Sequence, residues 1–294
     1  MDERPTTLKI RSVGRLRSGT RPWLWINLLS LDAPLVAVVW QALFAKCMTT
    51  PIHPAAFAVL GLSVWFIYVS DRLLDALGQY GNRAARHRFY REYWNIFSTM
   101  AVTALFAIGM LCARLDPRVI RNGLVLLTAV LVYLVLVHFG PDTGRRFWPK
   151  ELAVAVLFAI GTGLVTWSRT EFPQSSMVLP ICLFAALCWL NCTAVEYWEW
   201  KAARDTCDLP PHPVTVWLGL HLDSISFGVF VCCAVVFCWL PVRLQPIVAS
   251  SLISAAALFW LDRNRDRFSA DAQRVLVDVT LVSPMIFVLT KPGT

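Results

Sequence analysis

Charge is scarce in this sequence: Asp, Glu, Lys and Arg make up 16% of its 294 residues, against about 25% in a soluble globular domain. That shortage excludes an ordinary water-facing surface. Histidine is also rare, five in all, and no C-x-x-C pair occurs, so there is little material for a zinc site. The nine cysteines are an odd number and fall mostly in apolar runs: Cys182, Cys188, Cys192, Cys232, Cys233 and Cys238. They read as small packing residues, not a disulfide framework. No phosphate-binding Gly-rich loop, dinucleotide fingerprint or serine-hydrolase elbow is present. There is no low-complexity tract and no linker of domain size.

What is abundant is apolar sequence. Hydrophobic residues are 57% of the chain, which points to a bilayer as the solvent. Residues 1–30 carry Arg4, Lys9, Arg11, Arg15, Arg17 and Arg21, then Trp23 and Trp25. No small-residue cleavage site follows, so they read as a retained cytoplasmic basic tail with an interfacial anchor. Apolar runs at 31–48, 54–75, 94–113, 119–139, 151–168, 177–199, 214–240, 242–261 and 275–290 then predict an all-α polytopic domain over 31–294, about nine transmembrane helices in one bundle. With the N-terminus cytoplasmic, 20 of the 27 Lys and Arg fall on the cytoplasmic side. That bias is the one that orients membrane proteins, and it puts the C-terminus outside. It also accounts for the net charge of +8 without a nucleic-acid partner. The expected location is a multi-pass membrane protein of the bacterial inner membrane.

Two acidic clusters stand at the cytoplasmic ends of the second and sixth runs. The first is Tyr68-Val-Ser-Asp71-Arg72-Leu-Leu-Asp75 and the second is Glu196-Tyr-Trp-Glu199. Asp71 and Asp75 share one helix face a turn apart, a spacing that lets both reach one Mg²⁺. Read more simply, they are a helix end paired with nearby arginines. Basic residues surround the clusters: Arg72, Arg83, Arg86, His87, Arg88 and Arg91, then Arg145, Arg146, Lys150 and Lys201. Guanidinium groups beside metal-binding carboxylates are what a diphosphate needs; each arginine also satisfies the positive-inside bias alone. Asp32, Asp223 and Asp278 fall inside apolar runs toward the cytoplasmic half. Ionisable groups at such depth face a cavity or a partner, so the three, with Asn191, predict a polar pocket opening inward. Caps or helix-to-helix bonds are the other reading. Trp65, Tyr68, Tyr197 and Trp198 flank the acidic pairs and are candidates to line a hydrophobic tunnel.

These features resemble the UbiA-type intramembrane prenyltransferase superfamily, in which nine helices carry two aspartate-rich motifs after helices two and six. The first motif usually reads N-D-x-x-D-x-x-x-D. Its last two acids fall on Asp71 and Asp75, with Ile67 and Tyr68 in place of the leading Asn and Asp. The second is usually D-x-x-x-D; Glu196 and Glu199 stand in its region at a spacing of three. Arg86-His-Arg88-Phe89 resembles the basic stretch that follows the first motif. The resemblance implies a prenyltransferase with Mg²⁺ held by Asp71, Asp75, Glu196 and Glu199. Tyr68, Arg72, Arg86, Arg88, Arg145, Arg146, Lys150, Asn191 and Lys201 would bind a polyprenyl diphosphate and an aromatic or lipid acceptor. The departures leave a second option, a non-catalytic lipid-binding member of the same fold. A polytopic ion- or proton-coupled transporter using Asp32, Asp223 and Asp278 is a third.

Overall fold

The computed structural model describes residues 24–77, 85–139, 149–173, 175–202 and 211–290; the side chains at 24, 28, 75–77, 85–88 and 138–139 are outside that description. The tail of residues 1–23, with Arg145 and Arg146, lies outside the described residues. Every regular element described is helical. In chain order these are α1 Leu24–Leu28, α2 Asp32–Cys47, α3 Pro54–Leu77, α4 Ala85–Glu92, α5 Trp94–Cys112, α6 Pro117–Phe139 and α7 Lys150–Arg169. They continue with α8 Ser175–Ala202, α9 Pro213–Leu220, α10 Leu222–Trp239, α11 Gln245–Arg263, α12 Ala270–Thr280 and α13 Met285–Leu289.

Among the described residues, seven helices are long and apolar enough to cross a membrane, from Pro54–Leu74 to Val242–Arg263. They correspond to the second through eighth expected spans. The seventh bends at His221, where α9 gives way to α10. The expected first and ninth spans are shorter. α2 has 16 residues, about 24 Å at 1.5 Å per residue, under the roughly 30 Å of a hydrocarbon core. The ninth is broken between α12 and α13 around Leu281-Val282-Ser283-Pro284.

The break has a local cause. Pro284 brings no N–H and disfavours helical backbone at Ser283. The chain there turns through short-range bonds, Leu281 N to Asp278 O, Val282 N to Val279 O and Met285 N to Val282 O, the tighter 3₁₀ pattern. Irregular backbone at membrane depth must find donors within the protein, and it does. Asn191 Nδ2 donates to Val277 O at 2.7 Å, Ser254 Oγ to Thr280 O at 2.7 Å and Trp40 Nε1 to Leu281 O at 2.8 Å. Ser283 Oγ donates to Ser250 O at 2.9 Å. Lys46 Nζ reaches Phe287 O at 2.6 Å. Side chains from α2, α8 and α11 thus hold the interrupted segment in register.

The largest core lies around α2. Trp40 and Phe44 meet Phe184 of α8, with Trp40 and Phe184 stacked at 4.3 Å between centroids. Small Ala155 and Ala159 let α7 approach. By contrast α5 and α6 turn apolar side chains outward, Val102, Phe106 and Val125 among them, where acyl chains suit them. Trp40→Phe keeps most of the packing but leaves Leu281 O without its donor. It should lower stability by about 1–3 kcal/mol, read as the unfolding midpoint in detergent. A variant as stable as the parent means that the break does not depend on that bond.

Candidate functional site

The end of the bundle where α1, α3 and α4 meet is tied together by a polar network. Arg72 of α3 donates from Nη1 to Asn27 O at 2.8 Å and lies 5.6 Å from the centre of the Tyr90 ring. Trp65 Nε1 donates to Leu29 O at 2.9 Å, and the Ser30 and Tyr90 hydroxyls meet at 2.8 Å. The turn before α2 is therefore clamped on α3 and α4. It presents Asp32, whose Oδ2 accepts from Asn27 Nδ2 at 2.7 Å and whose Oδ1 accepts from Ala33 N at 3.0 Å.

Asp278 of α12 comes within hydrogen-bond reach of Asp32 and of Asn191, with Arg72 close by. Tyr68 stands beside both aspartates and beside Cys188 and Cys192. Asp278, Asn191, Tyr68, Cys188 and Cys192 border a cavity of about 30 Å³. Tyr68, Asn191, Cys192 and Asp278 form its polar side, and Val36 and Phe158 belong to its apolar wall. The space holds one or two hydroxyl-sized groups. Of the residues expected to form a polar pocket, Asp278 and Asn191 line this cavity, and Asp32 stands behind them within hydrogen-bond reach of Asp278. Asp223 does not join it: its Oδ1 accepts from its own neighbour Ser224, N at 2.7 Å, and its charge neighbour is Asp262.

The acidic motifs behave differently from one another. Asp71 is half-buried on α3; Asp75 lies in the last turn of that helix, its side chain outside the described residues, as are those of Arg86 and Arg88 on α4. On α8, Glu196 Oε1 is 3.0 Å from Lys150 Nζ, the first residue of α7. Glu199 is bonded by Arg274 of α12. Lys201 is exposed at the end of α8. Among the described residues, no three of His, Cys, Asp and Glu come together as a metal would require. Of the four acids that the family resemblance assigns to Mg²⁺, Glu196 and Glu199 each stand beside a base. Three of the four flanking aromatics have structural work: Trp65 holds the α1–α2 turn, Trp198 Nε1 donates to Asp262 Oδ1 at 3.1 Å, and buried Tyr197 packs against α9.

One buried acid was not singled out by its sequence context. Glu151, in the first turn of α7, accepts from Thr215 Oγ1 at 3.0 Å and is 5% exposed. Its placement at the start of an apolar run reads as an ordinary N-terminal acid, and nothing local points to α9. Cys188 and Cys192 likewise gain their place beside the cavity from the rotation of α8.

Comparison with known proteins bears on the fold. No family model matches the sequence, and no curated protein does. Among solved structures, the apo structure of a UbiA homolog from Aeropyrum pernix K1 is similar, with a TM-score of 0.56 at 12% identity, covering 87% of this chain and 98% of that one. At that identity the likeness is one of architecture, and it spans nearly the whole of the other chain. This protein is an integral, multi-pass, all-helical membrane protein with a UbiA-like fold.

Proposed function

We propose that the protein is an intramembrane prenyltransferase-type protein that takes a polyprenyl diphosphate at the cytoplasmic end of the bundle and passes its prenyl group to an aromatic or lipid acceptor. The observation that carries this reading is the polar cavity of Tyr68, Asn191 and Asp278 within a UbiA-like fold. The N-terminus is taken as cytoplasmic from the arginine and lysine bias. In the transfer, the bond from the allylic carbon to the ester oxygen breaks and its electron pair leaves with the diphosphate. The acceptor then bonds to that carbon and gives up a proton. Half-exposed Lys150 can leave Glu196 for a phosphate oxygen, because such surface pairs contribute only about 0–1 kcal/mol. By the family resemblance, Asp71 and Asp75 are the acids proposed to hold the Mg²⁺ that accompanies a diphosphate.

A second reading, a non-catalytic isoprenoid binder, draws on the pairing of Glu196 with Lys150 and of Glu199 with Arg274: the charge that a metal would balance is already balanced. Transport draws less support, since the buried hydroxyls of Ser254 and Ser283 are spent on sealing the helix break. The test is binding of geranylgeranyl diphosphate to the purified chain with and without Mg²⁺, followed by product analysis with a phenol. Asp71→Asn should weaken Mg²⁺-dependent binding at least tenfold, about 1.4 kcal/mol, with little change in stability. Binding without product establishes the second reading; equal binding by parent and variant reduces Asp71 to a helix-end acid.

A further inference from the structure

The cavity where α2, α3, α7, α8 and α12 meet lies one helix turn from Asp71, Lys150 and Glu196. Tyr68, which lines it, precedes Asp71 by three residues on one face of α3, about 4.5 Å along the axis. Cys192, also in the lining, precedes Glu196 by four residues on α8, and Val154 follows Lys150 by four on α7. That is about 6 Å in each case. The same one-turn offset thus holds on three helices, and Glu196 and Lys150 meet at 3.0 Å. A diphosphate taken by Lys150, with its apolar chain running into the bundle, therefore brings its allylic carbon to the level of the cavity.

The cavity measures about 30 Å³. A buried water needs roughly 10–15 Å³ of such space and two to four polar partners, and both are present. The Tyr68 hydroxyl donates and accepts, and Asp278 brings a carboxyl. Asn191, whose Nδ2 donates to Val277 O at 2.7 Å, brings an Oδ1 that accepts. No benzene ring enters a space of that volume. Val36, Phe158 and Leu281 line it with hydrocarbon alone. We propose that the protein has a second activity, transfer of the prenyl group to a water held by Tyr68, Asn191 and Asp278, which releases the free prenyl alcohol. The bond from the allylic carbon to the ester oxygen breaks, and its electron pair leaves with the diphosphate. The water oxygen bonds to that carbon, and the proton it sheds passes to Asp278. The inference rests on the prenyl-transfer reading, to which it adds water as an acceptor.

The test incubates the full chain in detergent with geranylgeranyl diphosphate and Mg²⁺ in water enriched in oxygen-18, with no other acceptor. Geranylgeraniol should form at least tenfold faster than in a protein-free control and should carry the label, since the carbon–oxygen bond is the one that breaks. Tyr68→Phe, which keeps the ring, should slow its formation at least tenfold. Cys192→Leu, which fills the cavity, should do the same, and either variant serves if the other does not fold. Diphosphate binding is measured on each, so that lost turnover is read apart from lost binding. Unlabelled alcohol overturns the proposal, because water has then attacked phosphorus. A prenyl group left on Cys188 or Cys192, read from the intact mass, overturns it too, as does labelled alcohol released by both variants at the parent's rate. Diphosphate binding without alcohol removes this inference and leaves the reading beneath it; no diphosphate binding removes both.

Discussion

Tyr68→Asp should lower stability by about 3–5 kcal/mol in metal-free buffer, the range for an uncompensated buried charge. Tyr68 stands beside Asp32 and Asp278 and next to Cys188 and Cys192, so the substitution adds a third carboxyl to a pair that already shares a site. Arg72 lies close to Asp278, but its guanidinium is already engaged by Asn27 O and the Tyr90 ring. Three carboxyls together are also what a hard divalent ion takes. Millimolar Mg²⁺ should therefore restore at least half of the lost stability. Tyr68→Asn is the control: it loses the ring and its packing but brings no charge, and Mg²⁺ should leave it unchanged. Unfolding midpoints of the two variants with and without the metal decide the matter. An aspartate variant as stable as the asparagine one, and equally indifferent to Mg²⁺, means that position 68 does not face the carboxyl pair.

The second large effect is expected at the contact of α8 with α9. A Cβ at Gly219 would lie 2.2 Å from Tyr197 Cγ and 2.6 Å from Tyr197 Cβ. No van der Waals contact is that short. The ring cannot step aside cheaply, for Tyr197 is 4% exposed and packs in one cluster with Trp198, Leu222 and Leu258. Gly219→Ala gains about 1 kcal/mol of helix propensity, and the overpacking outweighs it. A net loss of about 2–3 kcal/mol is expected, with α9 pushed off α8. That movement should also loosen Thr215, whose hydroxyl satisfies buried Glu151, so the loss should exceed the steric cost alone. Combining the change with Tyr197→Ala removes the obstacle. The double variant should then be more stable than the sum of the single effects by at least about 1 kcal/mol, a coupling typical of residues in contact. Additive losses would show that Gly219 is not held against that ring.

The apolar runs were enough to place seven long helices, because a stretch that must sit in hydrocarbon is recognised by composition alone. Asp32, Asp278 and Asn191 were legible for the same reason: an ionisable or amide group in such a run needs a partner. Which partner was not legible. Asp223 looked like Asp278 in sequence and yet bonds its own neighbour, while Asp278 meets Asp32 from the far end of the chain. The acids of α8 looked like ligands, and nothing in their sequence context showed that Lys150 and Arg274 would be their neighbours. The break after α12 had a sign in Pro284, but its donors come from α2, α8 and α11; Trp40 lies 241 residues from the carbonyl it satisfies. The physical reason is the solvent. A helix in water shows by its polar stripe which way it faces, whereas α8 is apolar on nearly every side. Its rotation, and with it the neighbours of Asn191, Cys192, Glu196 and Glu199, is decided by the packing of Phe184 on Trp40 and of Tyr197 on Gly219.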